Sequence, residues 1–185
     1  MTAMTGRPIQ LAGKLRLTER QHIVFNAVVF QLSWLACVLG GSVVAAAVTA
    51  AVVAMHLKVV ADKRQEFIFL LQCAAVGFVC DLALIQMGVL NTGNPLPPLW
   101  LTCLWVLFGT TVGYPLRFFH GRLALCVAGG FVFAPTSYFG GARLADVTLV
   151  EPVWVALLSV GLVWAVVFPT LIYLYSVNKQ KTAKT

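Results

Sequence analysis

Apolar residues run almost unbroken through most of this chain, and polar residues gather in short gaps between the runs. Runs of about 17–25 apolar residues match a hydrocarbon core about 30 Å thick, crossed at 1.5 Å per residue. Six helices account for the pattern, at roughly 22–39, 42–60, 67–90, 99–119, 123–142 and 152–176. The gaps carry the expected punctuation. Gly40-Gly41-Ser42 allows a tight hairpin, "VADKRQE" (60–66) is a charged connection, and "NTGNPLPP" (91–98) cannot continue a helix. Gly113-Tyr114-Pro115, and Gly129-Gly130 followed by Pro135, should kink or open the fourth and fifth helices. Carbonyls freed at such breaks are tolerated only against protein or a wet cavity.

Composition strengthens this picture. The chain is 60% hydrophobic and 10% charged, whereas a soluble domain is nearer 45–50% apolar and about 25% charged. Mean hydropathy is +0.90. The expected fold is therefore an all-α, polytopic membrane helix bundle. A basic segment at 1–21 leads into a six-helix transmembrane domain at 22–176, and a basic tail follows at 177–185. The basic leader and Ala45-Ala46-Ala47 suggest a cleaved signal, but the preceding apolar run is longer than the usual core of about 7–15 residues.

Charge decides orientation. Of the 13 Lys and Arg residues, twelve fall in the two termini and in alternate loops, and only Arg143 falls on the opposite side. With both termini inside, this is the positive-inside pattern. The net charge of +7 sits in these clusters, which favours anionic lipid headgroups at the cytoplasmic face over nucleic acid as a partner. A membrane-protein partner is also compatible with the pattern.

The five cysteines lie inside apolar runs without a CxxC pair, so they read as small buried hydrophobes. Cys73, Cys80 and Met87 recur every seven residues and are expected to share a packed seam. Trp100, Tyr138, Trp154 and Tyr173 fall near span ends, as interfacial aromatics should, while Trp34, Trp105 and Trp164 lie deeper.

Asp81 interrupts the most apolar stretch. A charged aspartate at a helix centre costs about 2.5–3.5 kcal/mol, and each Phe, Leu, Ile or Val returns about 0.3–0.6 kcal/mol. Thirteen such residues lie between Phe67 and Leu90, so insertion is favoured, provided that the carboxyl faces protein. Ala74, Gly77, Asp81 and Gly88 form a stripe of small residues suited to close helix contact. Candidate partners are Gln31 and Asn26 in the first helix, Thr110 and Thr111 in the fourth, and Arg143 reaching inward. The carboxyl then serves either as a packing hydrogen bond or as a proton relay, ion site or catalytic acid/base.

A second constellation, Thr136, Ser137, Tyr138, Arg143, Asp146 and Glu151, maps to the outer face. An Arg143 ion pair with one of the acids, or a small-ligand site, would explain it. His22, His56 and His120 map to cytoplasmic helix ends near Asp62 and Glu66, but no pair has metal-ligand spacing. Neither a metal nor a cofactor is expected, and no hydrolase, phosphate-binding or dinucleotide motif occurs.

"NAVVFQLSWLACVLGG", "CDLALIQMGVL", "PLWLTCLWVLFGTT", "APTSYFGGARLADV" and "WAVVFPTLIYL" together resemble a small bacterial membrane family, catalogued as domain of unknown function two-eight-seven-eight. The resemblance covers about residues 25–175. Its marks here are Asn26, Gln31, Trp34, Asp81, Gly88, Trp100, Trp105, Ser137, Tyr138, Gly141 and Pro169. "VGYPLRFFH" departs from the pattern, in which the inner half of the fourth span carries an Asn or His and a Ser. The resemblance implies an inner-membrane protein in lipid or fatty-acid modification or envelope stress. The candidate site is Asp81 as catalytic group, with Asn26, Gln31, Trp105, Ser137, Tyr138 and Arg143 as ligand contacts. A proton-coupled transporter using Asp81, or a non-catalytic scaffold, are the alternatives, and whether the protein is an enzyme stays open.

Overall fold

The computed structural model describes residues 18–182. The basic residues Arg7, Lys14, Arg16 and Lys184 lie outside that range. In chain order the elements are α1 (Glu19–Val59), α2 (Lys63–Gln86), β1 (Leu90–Asn91), α3 (Leu99–Val112), a 3-10 turn (Pro115–Phe119), α4 (Leu123–Leu144), β2 (Thr148–Leu149) and α5 (Val153–Thr182). Four helices, α1, α2, α4 and α5, are long and apolar enough to cross a membrane, and Leu99–Gly109 is a shorter apolar stretch.

The first two expected helices form one element that turns back on itself. Thr18 starts α1 with a capping box, its side chain accepting from the Gln21 N–H while Gln21 reaches back. At Gly41 the backbone leaves the helical region, with φ 65° and ψ −168°, a conformation open to a residue without Cβ. The rings of His22 and His56 stand 4.6 and 5.7 Å from the Tyr114 ring. A straight helix would hold those histidines about 50 Å apart. α1 is therefore a hairpin with arms at 19–40 and 42–59, as Gly40-Gly41-Ser42 suggested.

α2 ends earlier than its pattern implied. Gly88 adopts φ 72°, its N–H bonds to the Ile85 carbonyl, and the Val89 N–H bonds to the Leu84 carbonyl. This is a Schellman stop. Gly88 thus caps α2 and does not extend the small-residue stripe, and Met87 lies at the helix end, 62% exposed, outside any cysteine seam. Beyond the cap, Leu90 pairs with Leu149 and Asn91 with Thr148, a two-residue antiparallel bridge that joins the α2–α3 and α4–α5 connections.

α3 is the innermost helix, wrapped chiefly by the α1 hairpin and α2. It spans 14 residues, about 21 Å, shorter than the expected helix to 119. The sequence Gly113-Tyr114-Pro115 breaks it as anticipated, and a 3-10 turn carries the chain onward. Gly77 on α2 leaves space for the Trp105 ring, and Gly109 on α3 faces Leu70 and Cys73. Cys37 and Cys103 meet in one small cluster with Ala45 and Leu107.

α4 and α5 make the tightest pair. Gly130 abuts the Trp164 carbonyl, and Gly161 abuts the Phe131 carbonyl, with no side chain between backbones. Pro135 cannot bond to that Phe131 carbonyl, yet α4 stays helical through it. The freed carbonyl faces the Gly161 backbone of α5. α5 continues past the expected end at 176 to Thr182, and α1 begins inside the segment read as leader.

The two ends of the bundle differ in charge. Arg117 pairs with Glu19, and Lys179 and His56 both pair with Glu66, which gathers the termini of α1, α2, α4 and α5 at one basic end. Arg143 and the strand bridge lie at the other.

Candidate functional site

Asp81 is completely buried, and both its oxygens are satisfied by neutral donors. Trp105 Nε1 donates to Oδ2 at 2.7 Å, and the Tyr138 hydroxyl donates to Oδ1 at 2.5 Å. α2 presents the acid from its interior turn. Trp105 reaches it because Gly77, one helical turn away, has no side chain in the way. Tyr138 comes from α4, three residues after Pro135. The Trp105 ring stacks on Trp164 of α5, with centroids 4.4 Å apart and planes 14° from parallel. One carboxyl thus links α2, α3 and α4, and the stack extends the unit to α5.

This arrangement corrects the expected partners. Thr110 and Thr111 spend their hydroxyls on the Leu107 and Phe108 carbonyls of their own helix. Asn26 donates to the Thr110 carbonyl at 3.2 Å and not to Asp81. Arg143 lies over the Phe139 ring at 4.9 Å and makes no ion pair with Asp81, Asp146 or Glu151 among the described residues. Glu151 instead accepts from the Val153 N–H at the start of α5. Tyr138, expected at an interface, belongs to the buried site. The two constellations read as separate are therefore joined through one tyrosine.

In front of this polar unit lies a cleft of about 360 Å³, within the roughly 300–1,000 Å³ typical of ligand pockets. The first arm of α1 forms one wall through Ala27, Phe30, Gln31 and Trp34. α3 forms the floor through Trp100, Leu104, Trp105 and Phe108. α4 forms the opposite wall through Gly130, Phe133, Ala134, Ser137, Tyr138 and Gly141. The lining is overwhelmingly apolar. Its polar exceptions are Gln31, Thr111, Ser137, Tyr138 and the indole of Trp105, and four of these, all but Thr111, are among the six residues expected to contact a ligand. Asp81 does not line the cleft; it acts on the wall through Tyr138 and Trp105. The cleft extends from Pro115 and Leu116 at the basic end to Leu90 and Val147 beside the strand bridge.

A second polar cluster occupies the basic end. Glu66 is 1% exposed; its Oε1 lies 3.0 Å from His56 Nε2, and its Oε2 accepts from Lys179 at 3.1 Å. Tyr114 is held between His22 and His56, and His120 meets Tyr175 while contacting the Val112 carbonyl through Nε2. No group of three metal-binding side chains occurs among the described residues. Sequence reasoning named Glu66 only as a neighbour of the histidines. Its signal was an acid one turn inside an apolar helix, with basic residues converging on the same end.

The family model described as "Protein of unknown function (DUF2878)" matches residues 23–170. The match spans nearly all of α1 through most of α5 and includes the whole Asp81 unit, but of the basic-end cluster it leaves out His22, Tyr175 and Lys179. No curated protein and no solved structure matches the chain.

Proposed function

The chain belongs to the DUF2878 family, and from that premise we propose that it is a bacterial inner-membrane protein that holds the apolar chain of a membrane lipid between α1 and α4. The observation that carries this reading is the cleft itself: a long apolar groove whose wall includes Tyr138 and Trp105, both fixed by Asp81. An acyl chain fits such a groove because apolar surface accepts it, while a few placed polar groups set its depth. Asp81 serves as a positioning residue. It locks the phenol and indole rings so that the cleft keeps its shape.

In this reading the two arms of α1, then α2, α3 with its 3-10 turn, α4 and α5 cross the bilayer in turn, six times. Both termini then lie at the basic, cytoplasmic end. The short α3 is shielded by the helices around it, so its broken end need not meet lipid. A proton carrier would need a polar route to Asp81, whereas the groove in front of it is apolar, which weighs against the transport alternative.

The test is lipid retention by the purified full-length chain. Ser137 is exposed to the cleft, so Ser137→Phe should fill it without disturbing the core. Mass spectrometry of lipid retained after exhaustive detergent washing should show roughly tenfold less in Ser137→Phe, a difference of about 1.4 kcal/mol. Equal retention by wild type and variant would overturn the assignment.

A further inference from the structure

The cleft is polarised from end to end, and we infer that the lipid it holds is an anionic glycerophospholipid whose phosphate sits at the basic mouth, beside the 3-10 turn. This deepens the lipid reading and rests on it. At that mouth the wall is Pro115 and Leu116, followed at once by Arg117, and α4 opens at Arg122. Both guanidinium groups are exposed. Arg117 shares its charge with Glu19 at 2.9 Å. Arg122 rests 4.2 Å over the Phe118 ring, a contact that leaves its N–H groups available. The far mouth, at Leu90 and Val147, has Asp146 next to Val147 and no comparable pair of cations.

The mouth stands on a packed polar base: His22 stacks on Tyr114, the residue before Pro115, and Asn26 donates to the Thr110 carbonyl. A glycerophosphate group offers acceptors to both guanidiniums.

The experiment uses the full chain in nanodiscs of equal phosphatidylglycerol and phosphatidylcholine, with brominated acyl chains on one lipid or the other. Trp34, Trp100, Trp105 and Trp164 line the cleft, so bromine inside it quenches their fluorescence. The cleft's share of the quenching is the difference between wild type and Ser137→Phe. The expected result is that brominated phosphatidylglycerol occupies the cleft roughly fivefold in preference to brominated phosphatidylcholine. The double variant Arg117→Gln, Arg122→Gln should lose that preference while cleft quenching persists. Equal occupancy by the two lipids in the wild type, or an undiminished preference in the arginine variant, would overturn the headgroup assignment alone. If Ser137→Phe leaves quenching by both lipids unchanged, the lipid reading of the cleft falls as well.

Discussion

α2 carries two buried carboxylates, Glu66 and Asp81, and the protein satisfies them in opposite ways. Glu66, at the basic end, is met by an imidazole and an ammonium. Asp81, deep in the bundle, is met only by an indole N–H and a phenol O–H. The difference follows from where cations can stand. Lys179 keeps its side chain 41% exposed and spans from water to the buried acid, which a long stem near a helix end can do. Among the described residues no such stem reaches Asp81 from either end. Deep in the bundle the available donors are neutral aromatic side chains, and they double as the wall of a cleft. One acid ties the helix ends together, while the other fixes two rings of the cleft wall.

The sharpest way to break the comparison is Glu66→Ala. It leaves His56 buried without its acid and releases Lys179, so a loss of about 3–5 kcal/mol in denaturation of the micelle-embedded protein is expected. Tyr138→Phe should cost less, about 1 kcal/mol, because Trp105 still satisfies one Asp81 oxygen and membrane hydrogen bonds are individually modest. Its signature would be lowered lipid retention at nearly unchanged stability, the reverse of Glu66→Ala. The smallest effect belongs to Lys179→Gln. That half-exposed ammonium should contribute under about 1 kcal/mol, and raising the salt concentration should shrink the difference from wild type. A stability loss for Lys179→Gln as large as that for Glu66→Ala would mean that the two acids are not held in different ways.

Much of this architecture was legible in residues alone, and the reasons are local. The hairpin announced itself at Gly40-Gly41-Ser42, because only glycine takes a left-handed φ without strain. The end of α3 was written in Gly113-Tyr114-Pro115. Gly77, four residues before Asp81, marked the face that receives a bulky partner. What escaped was pairing at long range. Tyr138 lies 57 positions from Asp81, and depth estimated by counting residues placed it at the membrane surface. Its contact with Asp81 puts its hydroxyl inside. Arg143 drew attention as the one cation on its side, yet an aromatic ring on its own helix turn holds it. The Glu66 cluster was half visible. The histidines and the acid share one end of the sequence pattern without metal-ligand spacing, and Lys179, which completes the cluster, falls in the basic tail. The strand bridge, two residues per side, is too short to leave a periodic trace.

The glycine contacts between α4 and α5 have a mechanical corollary. Backbones that touch at Gly130–Trp164 and Gly161–Phe131 cannot slide or part without losing contact along their whole length, so these helices behave as one stiff plank. Across the groove, α1 meets α4 only sparsely, and the rim of the Trp34 indole lies near Gly140 and Gly141. The side of the groove toward α1 is therefore its less tightly braced wall.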